Sequence, residues 1–224
     1  MKTSVIVTAP AVEPVSLQEA KDQLRIDSSD TTRDAEITRI ITEARIWLEN
    51  TYNISIITQT RQQRQDNFYN QYPIPIYQFS SMQMWYTRFP ITLLKPPVQS
   101  VTLFQYLDTT GTLQTLNLNT DYVAAGMMPP VVGQQEIIVP RLSPVQFWPS
   151  QQWTPEAIFI KYVSGFGTDS TYVPQAIKRA LLMVIAHFFE NRVEETSERL
   201  GKFDFGIAKI MSSFEIFEQV RVYA

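Results

Sequence analysis

The hydrophobic period of this chain changes twice, and that constrains its fold more than any other feature. Helical spacing governs the start, a two-residue alternation governs the middle, and helical spacing returns towards the end. A period of 3.6 buries one stripe of a helix and a period of two buries one face of a sheet. The chain must therefore build both kinds of layer. The expected class is α+β: a small helical bundle of two N-terminal and two C-terminal helices, with a small β domain inserted between them. The divisions fall at 1–54 for the N-terminal helical part, 55–168 for the β domain with its proline-rich loop, and 169–224 for the C-terminal helices and tail.

The helix signals are specific. Ser16-Leu17-Gln18-Glu19 is a capping box, in which serine accepts from the third helical amide and glutamate reaches back to the serine amide. With Leu17, Ala20 and Leu24 at helical spacing it predicts a helix over 16–25. Asp27 to Thr32 is a polar turn. A second helix runs from Asp34 to Asn50, with Ile37, Ile40, Ile41, Ala44, Trp47 and Leu48 on one face. Glu36, Arg39, Glu43, Arg45 and Glu49 are expected around the rest of it. After Gly165-Phe166-Gly167, Pro174 suits the first turn of a third helix, where a missing amide costs nothing. Its apolar face is Ile177, Ala180, Leu181, Val184, Ile185, Phe188 and Phe189. A last amphipathic stretch covers Ile207–Phe217, followed by a short tail, Glu218–Ala224.

Between these helices, Ile57–Gln62 reads as a polar strand at a sheet edge. Pro73, Pro75, Pro90, Pro96 and Pro97 block a regular ladder, which predicts a long loop or an edge hairpin around Ser81–Phe89. Strands are expected at Val101–Leu107 and Thr112–Leu116, joined by the turn Asp108-Thr109-Thr110-Gly111. Glu136–Val139 and Ala157–Val163 carry two more.

Composition narrows the function classes. Among 224 residues 44% are hydrophobic and the net charge is only −3, which describes a folded chain. The longest apolar run, Ala180–Ala186, falls far short of the roughly 20 residues a bilayer needs. The apolar stretch near the N-terminus is broken by Thr8 and Pro10, so no export signal is expected. The absence of cysteine removes disulfides, thiolate metal sites and cysteine nucleophiles together. A mildly acidic chain without a basic stripe does not grip phosphate backbones.

No residue set points to catalysis. The single histidine, His187, sits within the third helix, and a general base needs a held target and usually an orienting carboxylate. A structural role is the better reading. Gly165-Phe166-Gly167 lacks the third glycine of a dinucleotide fingerprint and the lysine of a P-loop, and serves as a turn. No Gly-x-Ser-x-Gly elbow occurs. Glu194, Glu195 and Glu198 read as a solvated helix end or loop. No catalytic, cofactor-binding or metal-binding residue is assigned, and no enzyme is expected. The aromatics Trp85, Tyr86, Trp148 and Trp153 either anchor loops by packing or form a contact surface.

Three stretches together resemble one family. Pro14-Val15-Ser16-Leu17-Gln18-Glu19-Ala20-Lys21, with Leu24-Arg25-Ile26-Asp27 and a helix leading to Thr58-Gln59-Thr60, is similar to the N-terminal half of phage head–tail connector (adaptor) proteins. Val173-Pro174-Gln175-Ala176-Ile177-Lys178-Arg179-Ala180, continuing through Ala186-His187-Phe188-Phe189-Glu190-Asn191-Arg192, resembles the later helix of that family. Between them, Pro96-Pro97-Val98-Gln99-Ser100-Val101, Asp121-Tyr122-Val123 and Tyr162-Val163-Ser164-Gly165-Phe166-Gly167 match in order. The resemblance does not extend past Arg192.

It implies a virion protein of the neck, assembled in the host cytoplasm, in a ring of about a dozen copies. That ring would lie under the portal vertex, carry the tail-side stopper or tail proteins and let DNA pass through its centre. It implies no cofactor and no membrane partner. The apolar C-terminal residues Phe214, Ile216, Phe217, Val220, Val222 and Tyr223 have little sequence after them to bury themselves, and are expected to dock onto the portal protein. Competing readings are another neck or tail component, such as a stopper or tail-completion protein, or a carbohydrate-binding virion module using the aromatics.

Overall fold

The computed structural model describes residues 2–68, 90–134, 136–190 and 206–212, with the backbone of 216–217. The chain is α+β and divides into two compact units. Met1–Ala9, Gln59–Pro129 and Ile138–Ser164 form a sheet unit; Pro10–Thr58, Pro130–Ile137 and Gly165–Ala224 form a helical unit. Strand residues Lys2–Thr8 lie in the sheet unit.

The strands in chain order are β1 (Lys2–Thr8), β2 (Gln59–Gln65), β3 (Ile91–Thr92), β4 (Val98–Leu107), β5 (Leu113–Thr115), β6 (Tyr122–Ala125), β7 (Ile137–Ile138), β8 (Arg141–Pro144), β9 (Ile158–Ser164) and β10 (Ile216–Phe217). A five-stranded antiparallel sheet runs in the order β1-β2-β9-β4-β5, and a three-stranded one in the order β3-β8-β6. Alternation in β9 sends Ile158, Ile160 and Tyr162 inwards, where they meet Phe104 of β4 and the buried side chains of Phe68, Tyr122, Leu142 and Trp148.

Strand β2 corrects one expectation. It lies between β1 and β9 and not at an edge. Its inward positions are all polar: Gln59, Arg61, Gln63 and Gln65 are buried. With no apolar residue on either face, its sequence looks solvated. Hydrogen bonds made by Arg61, Gln63 and Gln65 offset the cost of burying them. Gln63 Oε1 accepts from the Leu94 amide at 2.9 Å, and its Nε2 donates to Gln65 Oε1 at 3.1 Å. Arg61 Nε donates to Ser4 Oγ at 3.1 Å, which in turn lies 3.1 Å from the Tyr162 hydroxyl. That hydroxyl donates to the Leu94 carbonyl at 2.7 Å.

The helical unit contains α1 (Leu17–Leu24), α2 (Asp34–Thr51), α3 (Gln175–Glu190) and a short helix at 206–211. The capping box forms as the sequence requires: Ser16 Oγ accepts from the Glu19 amide at 3.2 Å, and Glu19 Oε2 accepts from the Ser16 amide at 2.7 Å. Ile37, Ile40, Ile41, Ala44 and Leu48 of α2 pack with Ile177, Ala180, Leu181, Val184 and Ile185 of α3 in one core. Trp47 meets Phe188 edge-to-face with ring centroids 6.3 Å apart.

Two of the charged residues expected on the outside of α2 are buried. Arg45 pairs with Glu13 at 2.8 Å and with Glu49 at 3.3 Å, while Glu49 Oε1 accepts from the Ile56 amide at 2.8 Å. Lys21 is buried as well; its ammonium pairs with Asp34 at 2.5 Å and donates to the Asp30 carbonyl at 2.9 Å, pinning the α1–α2 loop. The last amphipathic stretch is not one helix: it is helical at 206–211, and Ile216–Phe217 is extended and pairs with β7. The loop or hairpin expected at Ser81–Phe89 lies outside the described residues.

Candidate interaction surfaces

The sequence motifs that resemble chemistry resolve into backbone geometry. Gly165 has φ +125, and a Cβ there would stand 2.5 Å from the Ile57 carbonyl carbon and oxygen. A Cβ on Gly167 would stand 2.2 Å from Tyr172 Cγ. These glycines let segment 165–167 lie directly on 56–58: the Phe166 amide donates to the Ile56 carbonyl at 3.0 Å and the Thr58 amide to the Gly167 carbonyl at 2.9 Å. The motif is a close backbone crossing.

Four acids repeat one local device, Asp-x-Ser/Thr. Asp27, Asp30, Asp108 and Asp169 are held below the ordinary carboxylate range, each first by the hydroxyl of Ser29, Thr32, Thr110 or Thr171 two residues on. For Asp108 the Gln114 side chain adds to this, and the value falls to about 2. These carboxylates close turns. His187 is half-buried and its ring lies 6.2 Å from that of Phe188. Among the described residues no group of three or more His, Cys, Asp or Glu is placed to hold a metal ion. None of the described helices is long and apolar enough to cross a membrane.

The four candidate aromatics separate. Trp148 is buried, stacked on Phe68 at 4.9 Å with 7° between the rings, and 5.7 Å from Phe104. It fills the core of the sheet unit. Trp153 is 80% exposed. Trp85 and Tyr86 lie outside the described residues, so among the described ones a contact role for these aromatics rests on Trp153. Of the tail residues, Phe214, Val220, Val222 and Tyr223 lie outside the described residues, as do Glu194, Glu195 and Glu198. Ile216 and Phe217 are described only as the backbone of β10.

The sequence does not single out the outer face of the five-stranded sheet. Register puts Val5, Gln62, Lys161 and Leu103 opposite one another across four strands. The next row runs Thr3, Arg64, Phe159, Gln105 and Thr115. Arg64 lies 5.9 Å above the Phe159 ring and pairs with Glu156 at 2.9 Å. Towards β5 a depression of about 360 Å³ opens between Leu103, Leu107, Leu113 and Phe159, with Gln62 and Lys161 at its side. At the other edge Val5, Ile6 and Val7 of β1 are each close to half exposed. The β-branched run of Thr3–Thr8 was the available signal for that strand.

No protein-family model matches the sequence, and no curated protein matches it. Solved structures do share the fold. A chain from the virion of a native gene transfer agent (GTA) particle superposes with a TM-score of 0.68 at 17% identity, covering 99% of this chain and 98% of that one. A chain from the neck of an empty GTA particle computed with C6 symmetry gives 0.64 at 17% identity, covering 87% of each chain. A third, from the neck of a native GTA particle computed with C12 symmetry, gives 0.59 at 16% identity and covers 98% of each. At these identities the likeness is one of fold.

Proposed function

We propose that this chain is a structural protein of the neck of a tailed phage-like particle, an adaptor between the portal and the tail-side neck proteins. About 12 copies form a ring, and DNA passes through its centre without sequence-specific contact. The observation that carries this reading is the fold shared along 98% of both chains with a component of a native GTA neck computed with C12 symmetry. The net charge of −3 fits a conduit that must not hold phosphate. The C-terminal residues Phe214, Ile216, Phe217, Val220, Val222 and Tyr223 dock onto the portal in this reading.

The test is particle mass and negative-stain imaging of the purified protein, alone and mixed with its portal ring. A coaxial complex of about 12 copies on the portal is the expected result. No association with the portal overturns the adaptor role. Deleting 207–224 abolishes portal binding if the tail docks there; unchanged binding refutes that assignment.

A further inference from the structure

We infer that copies of this chain join head to tail through opposite edges of the five-stranded sheet. The β1 edge of one copy, with Val5, Ile6 and Val7, packs against the β4–β5 edge of the next, with Leu103 and Leu113. This rests on the ring reading above and assigns the surface that such a ring needs.

Both edges are open among the described residues, since β1 has β2 as its one neighbour and β5 has β4. Edge strands are normally blunted by proline, charge or bulges, because an unpaired row of amides and carbonyls invites another chain. Thr3–Thr8 contains no proline and no charge, and a register shift between Ile6 and Thr8 bends only its end. Val5, Ile6 and Val7 are 49%, 47% and 46% exposed. Consecutive residues of a strand point to opposite faces, so apolar surface wraps the whole edge. At the far edge Leu113 is 49% exposed beside the depression that Leu103 also lines.

The two patches lie about 19 Å apart, four strand spacings across one sheet, so one molecule cannot bury the first against the second. A second copy can. The patches differ in shape and residues, which makes the contact heterologous; such contacts propagate and close into a ring when the rotation permits. Every neighbouring pair in the sheet is antiparallel, so β1 and β5 run in the same direction. Continuing the sheet from copy to copy sets them side by side in parallel.

The chain has no cysteine, so thiols introduced at two positions are the only ones it carries. Val5→Cys, Leu113→Cys and the double variant are prepared as full chains, mixed with the portal ring, imaged, and treated with a short bismaleimide. The double variant is expected to give a ladder of cross-linked multimers, and each single variant monomers only. Dimers from Val5→Cys alone would mean edge-to-edge pairing about a two-fold axis and overturn the head-to-tail assignment. A ring visible on the portal without cross-links overturns the interface and leaves the adaptor reading standing. A ladder without any ring on the portal supports the interface and overturns the adaptor reading. Neither ring nor ladder overturns both.

Discussion

Replacing Glu49 by alanine tests whether the buried ion cluster organises the helical unit. Glu49 is 4% exposed, and its two carboxylate oxygens reach different elements: Oε1 accepts from the Ile56 amide at 2.8 Å and Oε2 from Arg45 at 3.3 Å. Glu49→Ala orphans a buried backbone amide, which costs about 1–3 kcal/mol. It also removes one partner of a buried guanidinium. Breaking a buried pair outright costs about 3–5 kcal/mol, but Arg45 keeps Glu13 at 2.8 Å, so the loss is smaller here. The total expected is about 3 kcal/mol. Glu49→Gln retains an oxygen for the Ile56 amide and loses only the charge, for about 1–2 kcal/mol. Urea unfolding of the full chain, followed by helical circular dichroism, measures both. Amide exchange at Ile56 should quicken in the alanine variant and stay slow in the glutamine variant. An alanine variant within about 0.5 kcal/mol of the parent, or one milder than glutamine, refutes the reasoning.

Burial pushes the Tyr162 phenol up to about 12 from its ordinary 10.0, so the folded state favours the neutral form. That preference is fully present below pH 10 and is lost as pH rises through about 12; unfolding measured across that window should show stability falling, and Tyr162→Phe should remove the slope. Trp148→Ala should cost about 3–5 kcal/mol through the cavity it leaves, and Trp153→Ala less than about 0.5 kcal/mol, both read by denaturant unfolding. Gly167→Ala forces a Cβ onto the Tyr172 ring and should cost about 1–3 kcal/mol or more, seen as a lower Tm; an unchanged Tm would show that the crossing relaxes freely.

The helices were legible because their information is local. The capping box marks the start of α1 and the Ile37–Leu48 stripe gives the buried face of α2, which spans Asp34–Thr51 where Asp34–Asn50 was expected. The sheet was less legible, because strand order is set by partners remote in sequence. Val5-Ile6-Val7 beside Pro10 reads as a broken leader until its partner Gln59–Gln65 is known. That partner in turn looks like an edge strand until Ser4, Tyr162 and Leu94 supply the bonds that its glutamines and Arg61 need. Trp148 and Trp153 are five positions apart and have opposite fates, which no pattern within 147–153 distinguishes: the partners of Trp148 are Phe68 and Phe104.

The polar interior of β2 also bears on the edge proposed to join copies. A strand with one neighbour is held by one ladder, yet β1 has two further ties that pass beyond β2. Ser4 Oγ accepts from Arg61 and contacts Tyr162 on β9, and Lys2 Nζ donates to Thr92 Oγ1 at 2.7 Å. Such ties keep an apolar edge in register, so that it meets a neighbour as a fixed surface and not as a fraying strand. Ser4→Ala removes the acceptor that Arg61 uses and should quicken amide exchange in Thr3–Val7 by roughly tenfold, the equivalent of about 1.4 kcal/mol. Exchange in α2 and α3 should not change. The same variant should yield fewer complete rings on the portal if the β1 edge carries the contact. Quickened exchange with undiminished rings would place the contact elsewhere, and unchanged exchange would show that the ladder with β2 alone fixes the strand.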